Sequence, residues 1–293
     1  MSAFEFAPYI LDKLSVSRAL SDVEVLTGGY TNHTARVTFN FPISLSLLPG
    51  HDVTENLLHT VILKHAPPYI AAEPTQALAV TRQLIEKRAL QILNGEDEEF
   101  VELSQNIRLS DSFRRGSVRI PKFIWHDEEN QVLWIEDLRG MKPLSEVLLR
   151  DPSDNLERET PLEKVAADLG QFAMEMHLAT KHPPQRLLDH LSSLSPPANI
   201  VEMLTRITRE VLEKNGMAGE EVNLFLERVR MGLEEKDEEG ACLGIVDFWY
   251  DNILVSFEAT QGKGSCGLID WEFFGLSNVA NELGMFCKSN LFF

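Results

Sequence analysis

The sequence predicts an α+β protein in two lobes, an antiparallel-sheet lobe over residues 1–137 followed by a mainly helical lobe over 138–293. Three observations carry this reading. Short β-branched and aromatic runs recur up to residue 136, one stretch of helical periodicity interrupts them, and from residue 138 long amphipathic stretches replace them. The expected strands are VEVL (23–26), ARVTFNF (35–41), TVILK (60–64) and VLWIE (132–136). The inserted helix is expected over Thr75 to Leu93, where Leu78, Leu84, Ile85, Ala89, Ile92 and Leu93 fall largely at helical spacing and Gly95 stands at the C-cap position. In the second part, Leu162, Val165, Ala166, Leu169, Phe172, Ala173 and Met176 mark a long helix, and two more are expected near 199–214 and 220–235. Residues 253–257 and 267–269 read as strands of an antiparallel hairpin joined by the turn-rich ATQGKGS. The acidic strings GLEEKDEEG and NGEDEEF read as solvated helix ends, and the two lobes are expected to join near Glu136 to Leu138.

Composition excludes several classes of function. Of 293 residues 44% are hydrophobic, enough to bury a large core, while 45 acids against 27 bases give a formal charge of -18. That charge repels phosphodiester backbones and anionic lipid headgroups, so neither nucleic acid nor a membrane is an expected partner. No apolar run approaches the roughly 18 residues that span a bilayer. The opening MSAFEFAPYILDKL carries Glu5 and Asp12 where a signal peptide would carry lysines, and the expectation is a cytoplasmic protein. Cys242, Cys266 and Cys287 form no C-x-x-C spacing and are read as buried reduced thiols.

Polar residues set into apolar runs carry the chemistry. TGGYTNHT (27–34) lies between two expected strands, so it forms a hairpin tip. There Gly28 and Gly29 let backbone amides approach an anion, and Thr31 or Asn32 adds a side-chain donor; an ordinary glycine turn has the same sequence signature. Lys64 closes the run Val61-Ile62-Leu63, where an unpaired ammonium is costly. It either pairs with Glu86 on the following helix, leaving the ammonium aimed at a phosphate, or snorkels to the strand end. In GIVDFWYDNILVSF (244–257) and GLIDWEFFG (267–275), the hairpin pairing brings Asn252 beside Asp270. An amide oxygen and a carboxylate side by side are hard ligands suited to nucleotide-bound Mg2+, and Asp247 on the loop leading in could accept a hydroxyl proton. Turn-forming Asp and Asn residues explain any one of these positions, but not all three together. Asp251 reads as a turn residue, and Trp249 and Trp271 as packing aromatics.

In this order the set resembles the protein-kinase-like superfamily, and within it the aminoglycoside phosphotransferase and choline kinase branch. The matching segments are TGGYTNHT for the glycine loop, VILKHA for the lysine strand, IEKRALQIL for the glutamate helix and WIEDLRG for the hinge. LGQFAMEMH matches the central helix, and LIDWEFFG stands in place of the protein-kinase D-F-G. The resemblance runs from about residue 23 to the last residue and implies a two-lobed protein-kinase-like fold with ATP and Mg2+ as cofactors. It implies that Lys64, paired with Glu86, holds phosphates covered by the amides of Gly28 and Gly29. Adenine would then sit against the hinge of Ile135 to Leu138, including Glu136 and Leu138, with Asp247 as catalytic base and Asn252 and Asp270 as metal ligands. His177 matches a structural histidine of the central helix, whereas His33 and His65 are read as surface or packing residues.

The implied reaction moves the γ-phosphate of ATP to a hydroxyl of a small molecule such as an aminoglycoside, an amino alcohol or a sugar-like acceptor. Two features depart from the family pattern. Ile245 and Val246 stand where the family has a histidine and a glycine, and the chain ends 23 residues after Asp270, so C-terminal helices are expected to be missing. The alternative expectation is a non-catalytic nucleotide-binding pseudokinase or scaffold. The acceptor, the choice of ATP over GTP and the oligomeric state are left open by the sequence.

Overall fold

The structure is a computed structural model in which residues 4–14, 20–27, 29–48, 57–110, 113, 118–148, 159–194, 197–234, 240–256 and 266–289 are described. A five-stranded antiparallel sheet occupies the first part. It is built from β1 (Leu20–Leu26), β2 (His33–Ser44), β3 (Leu57–His65), β7 (Phe123–Asp127) and β8 (Val132–Ile135), in the order β1-β2-β3-β8-β7. Each of the four strands expected from β-branched runs is present in it. Alternation decides the faces: Val61 and Leu63 of β3 join Ala35 and Val37 of β2 in an apolar layer on one side, while Lys64 turns to the other.

That apolar layer is covered by α1 (Phe6–Leu14), whose Phe6, Tyr9, Ile10 and Leu14 are buried at helical spacing. Tyr9 fixes it in place: its hydroxyl donates to Asp127 at 3.0 Å and accepts from the Trp134 indole N–H at 3.0 Å, and Lys13 meets Asp127 at 2.9 Å. The other face carries α2 (Arg82–Asn94), which packs Ile85, Ala89, Ile92 and Leu93 into the main core. So this half holds more than one helix, since α3 (Val101–Arg108) follows α2 as well.

The inserted helix also starts later than its periodicity suggested. Residues 75–77 belong to β5 (Glu73–Ala77), which pairs antiparallel with β4 (Tyr69–Ile70), so the backbone there is already committed to a ladder. The C-terminus matches expectation, with Gly95 at φ 73° and the Glu96 amide donating to the Gln91 carbonyl at 2.8 Å. Of the acidic string after it, Asp97 is not solvated. Its carboxylate is buried, accepts the amides of Glu99 and Phe100, and meets Arg88 at 2.9 Å, because the entry to α3 needs an acceptor for its first N–H groups.

Beyond the hinge come α4 (Leu144–Leu148), α5 (Glu159–Ala179), α6 (Gln185–Leu194), α7 (Pro197–Lys214) and α8 (Glu220–Glu234). The expected hairpin is present as β11 (Ile253–Val255) and β12 (Cys266–Leu268), with Ile253 opposite Leu268. Its connecting turn, 259–265, lies outside the described residues, as does most of the acidic string after α8. The hairpin extends into a four-stranded sheet with β6 (Val118–Arg119) and β9 (Lys142–Pro143), while β10 (Ala241–Gly244) pairs with β13 (Gly275–Asn278) and α9 (Val279–Ser289) follows. Cys242 and Cys266 are buried and reduced, and the side chain of Cys287 lies outside the described residues. Among the described residues no helix is long and apolar enough to cross a membrane.

Candidate active site

The elements converge where β3, α2 and the β11–β12 hairpin meet. Lys64 sits on β3 with its side chain 8% exposed, and its Nζ donates to both Glu86 oxygens at 2.8 and 2.6 Å and to Asp270 Oδ1 at 2.5 Å. The pairing reading of Lys64 thus describes the geometry, and the snorkelling one does not. Burial alone would lower the Lys64 ammonium, but Asp270, Glu86 and Glu272 outweigh it and hold it above lysine's ordinary range. Burial, with Asp270 and Glu272 adding to it, pushes the Glu86 carboxyl up while Lys64 pulls it back.

Asn252 and Asp270 are aligned by the hairpin. The Ile269 amide donates to the Asn252 backbone carbonyl at 3.0 Å, one residue before Asp270. The Asn252 side-chain amide donates to Asp247 twice, to its backbone carbonyl at 2.9 Å and to Oδ2 at 3.1 Å, which leaves Asn252 Oδ1 as the atom that could ligate a cation. Asp247 and Asn252 are therefore joined through their side chains, and the Ile269 amide ties Asn252 to the backbone one residue before Asp270. Burial, then the charges of Asp270 and Glu272, push the Asp247 carboxyl up to about 7, within reach of a proton acceptor working near neutrality.

Two backbones in this set are unusual. Val246 has φ 66° and Asp270 has φ 65°, a region that side chains beyond Cβ make costly, most of all for a β-branched residue. Val246 is held there by Glu282, which accepts the amides of Val246 at 3.0 Å and Ile245 at 3.2 Å and the Ser277 hydroxyl at 2.6 Å. A Cβ on Gly244 would lie 2.3 Å from Glu282 Oε1, so the loop needs glycine at that position to accept its anchor. Neither Glu282 nor Gly244 stood out in the sequence.

The glycine turn is held by a network that the sequence reading also missed. Thr31 and Asn32 are both buried. The Thr31 hydroxyl donates to Glu272 Oε1, and the Asn32 amide donates to Glu272 Oε2 at 2.7 Å. Arg82, 1% exposed, meets Glu272 Oε2 at 3.2 Å and donates to the carbonyls of Thr31 and Pro67 at 3.1 and 3.0 Å and of Ala79 at 2.7 Å. So the side chains of Thr31 and Asn32 face a carboxylate instead of standing free for an anion. Gly29 is within the turn, with an added Cβ meeting the Asn32 carbonyl at 3.0 Å, and Gly28 lies outside the described residues. The available signal was the one used for Lys64: Glu272 is a charge inside the apolar run LIDWEFFG and required a partner.

At the hinge, the Glu136 amide is committed to the Lys122 carbonyl at 2.9 Å, and its side chain receives Arg119 at 2.9 Å and the Lys122 amide at 3.2 Å. Leu138 is buried, and its carbonyl accepts the Met141 amide at 3.4 Å. Asp137, between them, accepts from Arg36 of β2 at 3.1 Å. His177 is buried on α5, and burial lowers its imidazole. His65 stacks on Phe4 at 4.0 Å with its imidazole driven down to about 4, first by burial and then by His33 and Arg82, so it is neutral packing. Trp271 is buried and donates to the Leu268 carbonyl at 3.1 Å, while Trp249 packs against the core.

Comparison with known proteins bears on the family and the fold. The chain is 25% identical over 281 residues to a 4-hydroxytryptamine kinase of Psilocybe cyanescens, covering 95% of this chain and 70% of that one. It is 24% identical over 285 residues to the 4-hydroxytryptamine kinase of Psilocybe cubensis, with the same two coverages. Among solved structures, an aminoglycoside-3'-phosphotransferase of type VIII aligns over 97% of this chain and 82% of that one, with a TM-score of 0.51 at 16% identity, and shows the shared fold. Residues 56–293 match the APH phosphotransferase enzyme family, and the chain belongs to that family of small-molecule kinases.

Proposed function

We propose that the chain is an ATP- and Mg2+-dependent kinase that transfers the γ-phosphate to a hydroxyl of a small molecule. The observation that supports it best is the meeting of Lys64, Glu86 and Asp270 at hydrogen-bond distance, with Asp247 and Asn252 joined beside them. The donor set fits the metal: magnesium takes one or two protein oxygens and completes its shell with phosphate and water, and Asn252 Oδ1 with Asp270 is such a pair. Bound there, the ion would neutralise charge on the phosphates. Lys64, kept in place by Glu86, would hold the phosphate chain, and the amides of Gly28 and Gly29 would cover it. Adenine would rest on the hinge between Glu136 and Leu138. Since the Glu136 amide is engaged, its carbonyl and the Leu138 amide are the groups to meet the base.

Asp247 would receive the acceptor's hydroxyl proton on its free oxygen while Asn252 holds the other. The acceptor belongs to the same proposal. The relatives are named for a hydroxylated amine, and this strongly acidic chain suits a cationic alcohol. The test is Mg2+-dependent ATP consumption with 4-hydroxytryptamine, choline and aminoglycosides as acceptors. Turnover with one of them, reduced by about 10²–10⁴-fold in Asp247→Asn, is expected. Mg-ATP binding without turnover across that panel would favour a scaffold, a reading to which the strained Val246 beside the base lends some weight.

A further inference from the structure

The Glu272 network reaches across 241 residues of sequence, from the segment carrying Asp270 to the glycine turn, yet nothing in the proposed chemistry requires it. Every donor it uses is accounted for. The Arg82 guanidinium has five N–H groups: Nε serves Glu272 and Asn32 Oδ1, and the two terminal nitrogens serve the carbonyls of Leu78, Ala79, Thr31 and Pro67. Arg82 thereby ties the start of α2 to the end of β3 and to the turn. Glu272 is likewise buried and shares its two oxygens among the Thr31 hydroxyl, the Asn32 amide and the Arg82 Nε. A buried carboxylate with three donors, one of them a guanidinium, is satisfied only while all its partners stay in place. Two residues before it, Asp270 contacts Lys64 directly.

We propose that Glu272 is a positioning residue that latches the glycine turn down onto the Asp270 segment, so that the turn is closed before any nucleotide arrives. This rests on the functional reading only in what the turn is closed over; the latch itself is a property of the protein without ligand. It assigns Thr31 and Asn32 to holding the turn, whereas their sequence context pointed to donors for phosphate.

The test is hydrogen–deuterium exchange of the full chain without nucleotide or metal, comparing wild type with Thr31→Val, Thr31→Ser and Glu272→Gln. A hydrogen bond to a buried charge contributes enough that its loss should open the turn about tenfold more often. The latch therefore requires exchange in residues 29–34 to rise about tenfold in Thr31→Val and Glu272→Gln, with α5 unchanged. Thr31→Ser, which keeps the hydroxyl, should match wild type. Unchanged turn exchange in Thr31→Val, or a rise spread equally over α5, would overturn the proposal. Failure of the wild type to bind Mg-ATP would instead sink the kinase reading and leave this result standing.

Discussion

Val246 and Asp247 are neighbours with opposite conflicts between stability and use. Val246 holds φ 66°, a conformation that glycine adopts freely and a β-branched residue does not, because Glu282 fixes its amide. Val246→Gly should raise stability by about 1 kcal/mol, read from denaturant melts, since relief of strain exceeds the added flexibility of the unfolded chain. Asp247 is pushed up to about 7 from its ordinary 3.8. Folding therefore favours its neutral form: the contribution is complete below about pH 4, and it is lost as pH rises through about 7. Asp247→Asn should then melt higher than wild type at about pH 8 without metal, with the gap closing at about pH 4. If Asp247 is the base, kcat/KM should fall on the acid side of about pH 7, or of a lower value once a cation sits nearby. Lys64, Asp247, Asn252 and Asp270 were legible in the sequence because each breaks an apolar run. Glu282 was not, since nothing in NELGMF marks a carboxylate as turned inward to two backbone amides.

At the scale of elements, β3 and α2 act as one unit through the Lys64–Glu86 pair. Both side chains are nearly excluded from solvent, so removing one charge leaves the other dependent on what remains. In Glu86→Gln the ammonium keeps Asp270 as its remaining anion and is drawn toward it. The expected result is a loss of about 1–3 kcal/mol in stability and at least about a tenfold weaker affinity for Mg-ATP, measured by calorimetry. Equal affinity in the variant would show that Glu86 does not orient Lys64 for phosphate. Strands were read correctly where β-branched runs were continuous, as in β3 and β8. The start of α2 was misplaced because the 75–77 segment pairs with Tyr69–Ile70, a local contact that periodicity does not register. The first helix escaped notice although Phe6, Tyr9, Ile10 and Leu14 carry its spacing, because its partner surface, the outer face of the sheet, exists only after folding.

For the whole molecule, two apolar cores divide the work. One lies between α1 and the outer face of the sheet, and the other joins α2 and α3 to α5, α6 and the β11–β12 hairpin. The candidate site lies on the inner side of the sheet, against the second core, which is why residues 64, 86, 247, 252 and 270 reach one place from separate elements. The order of motifs announced that convergence, whereas the crossing ties through Arg82 and Glu272 depend on long-range placement that no local pattern encodes. Lys64 and Asp270 are in direct contact, so a metal at Asp270 and phosphate on Lys64 must part them. The most direct measurement is a crystal structure with Mg2+ and a non-hydrolysable ATP analogue. It should show the ion about 2.1 Å from Asn252 Oδ1 and from an Asp270 oxygen, with Lys64 moved from Asp270 onto phosphate. A nucleotide bound elsewhere, or one bound while Lys64 remains on Asp270, would contradict it.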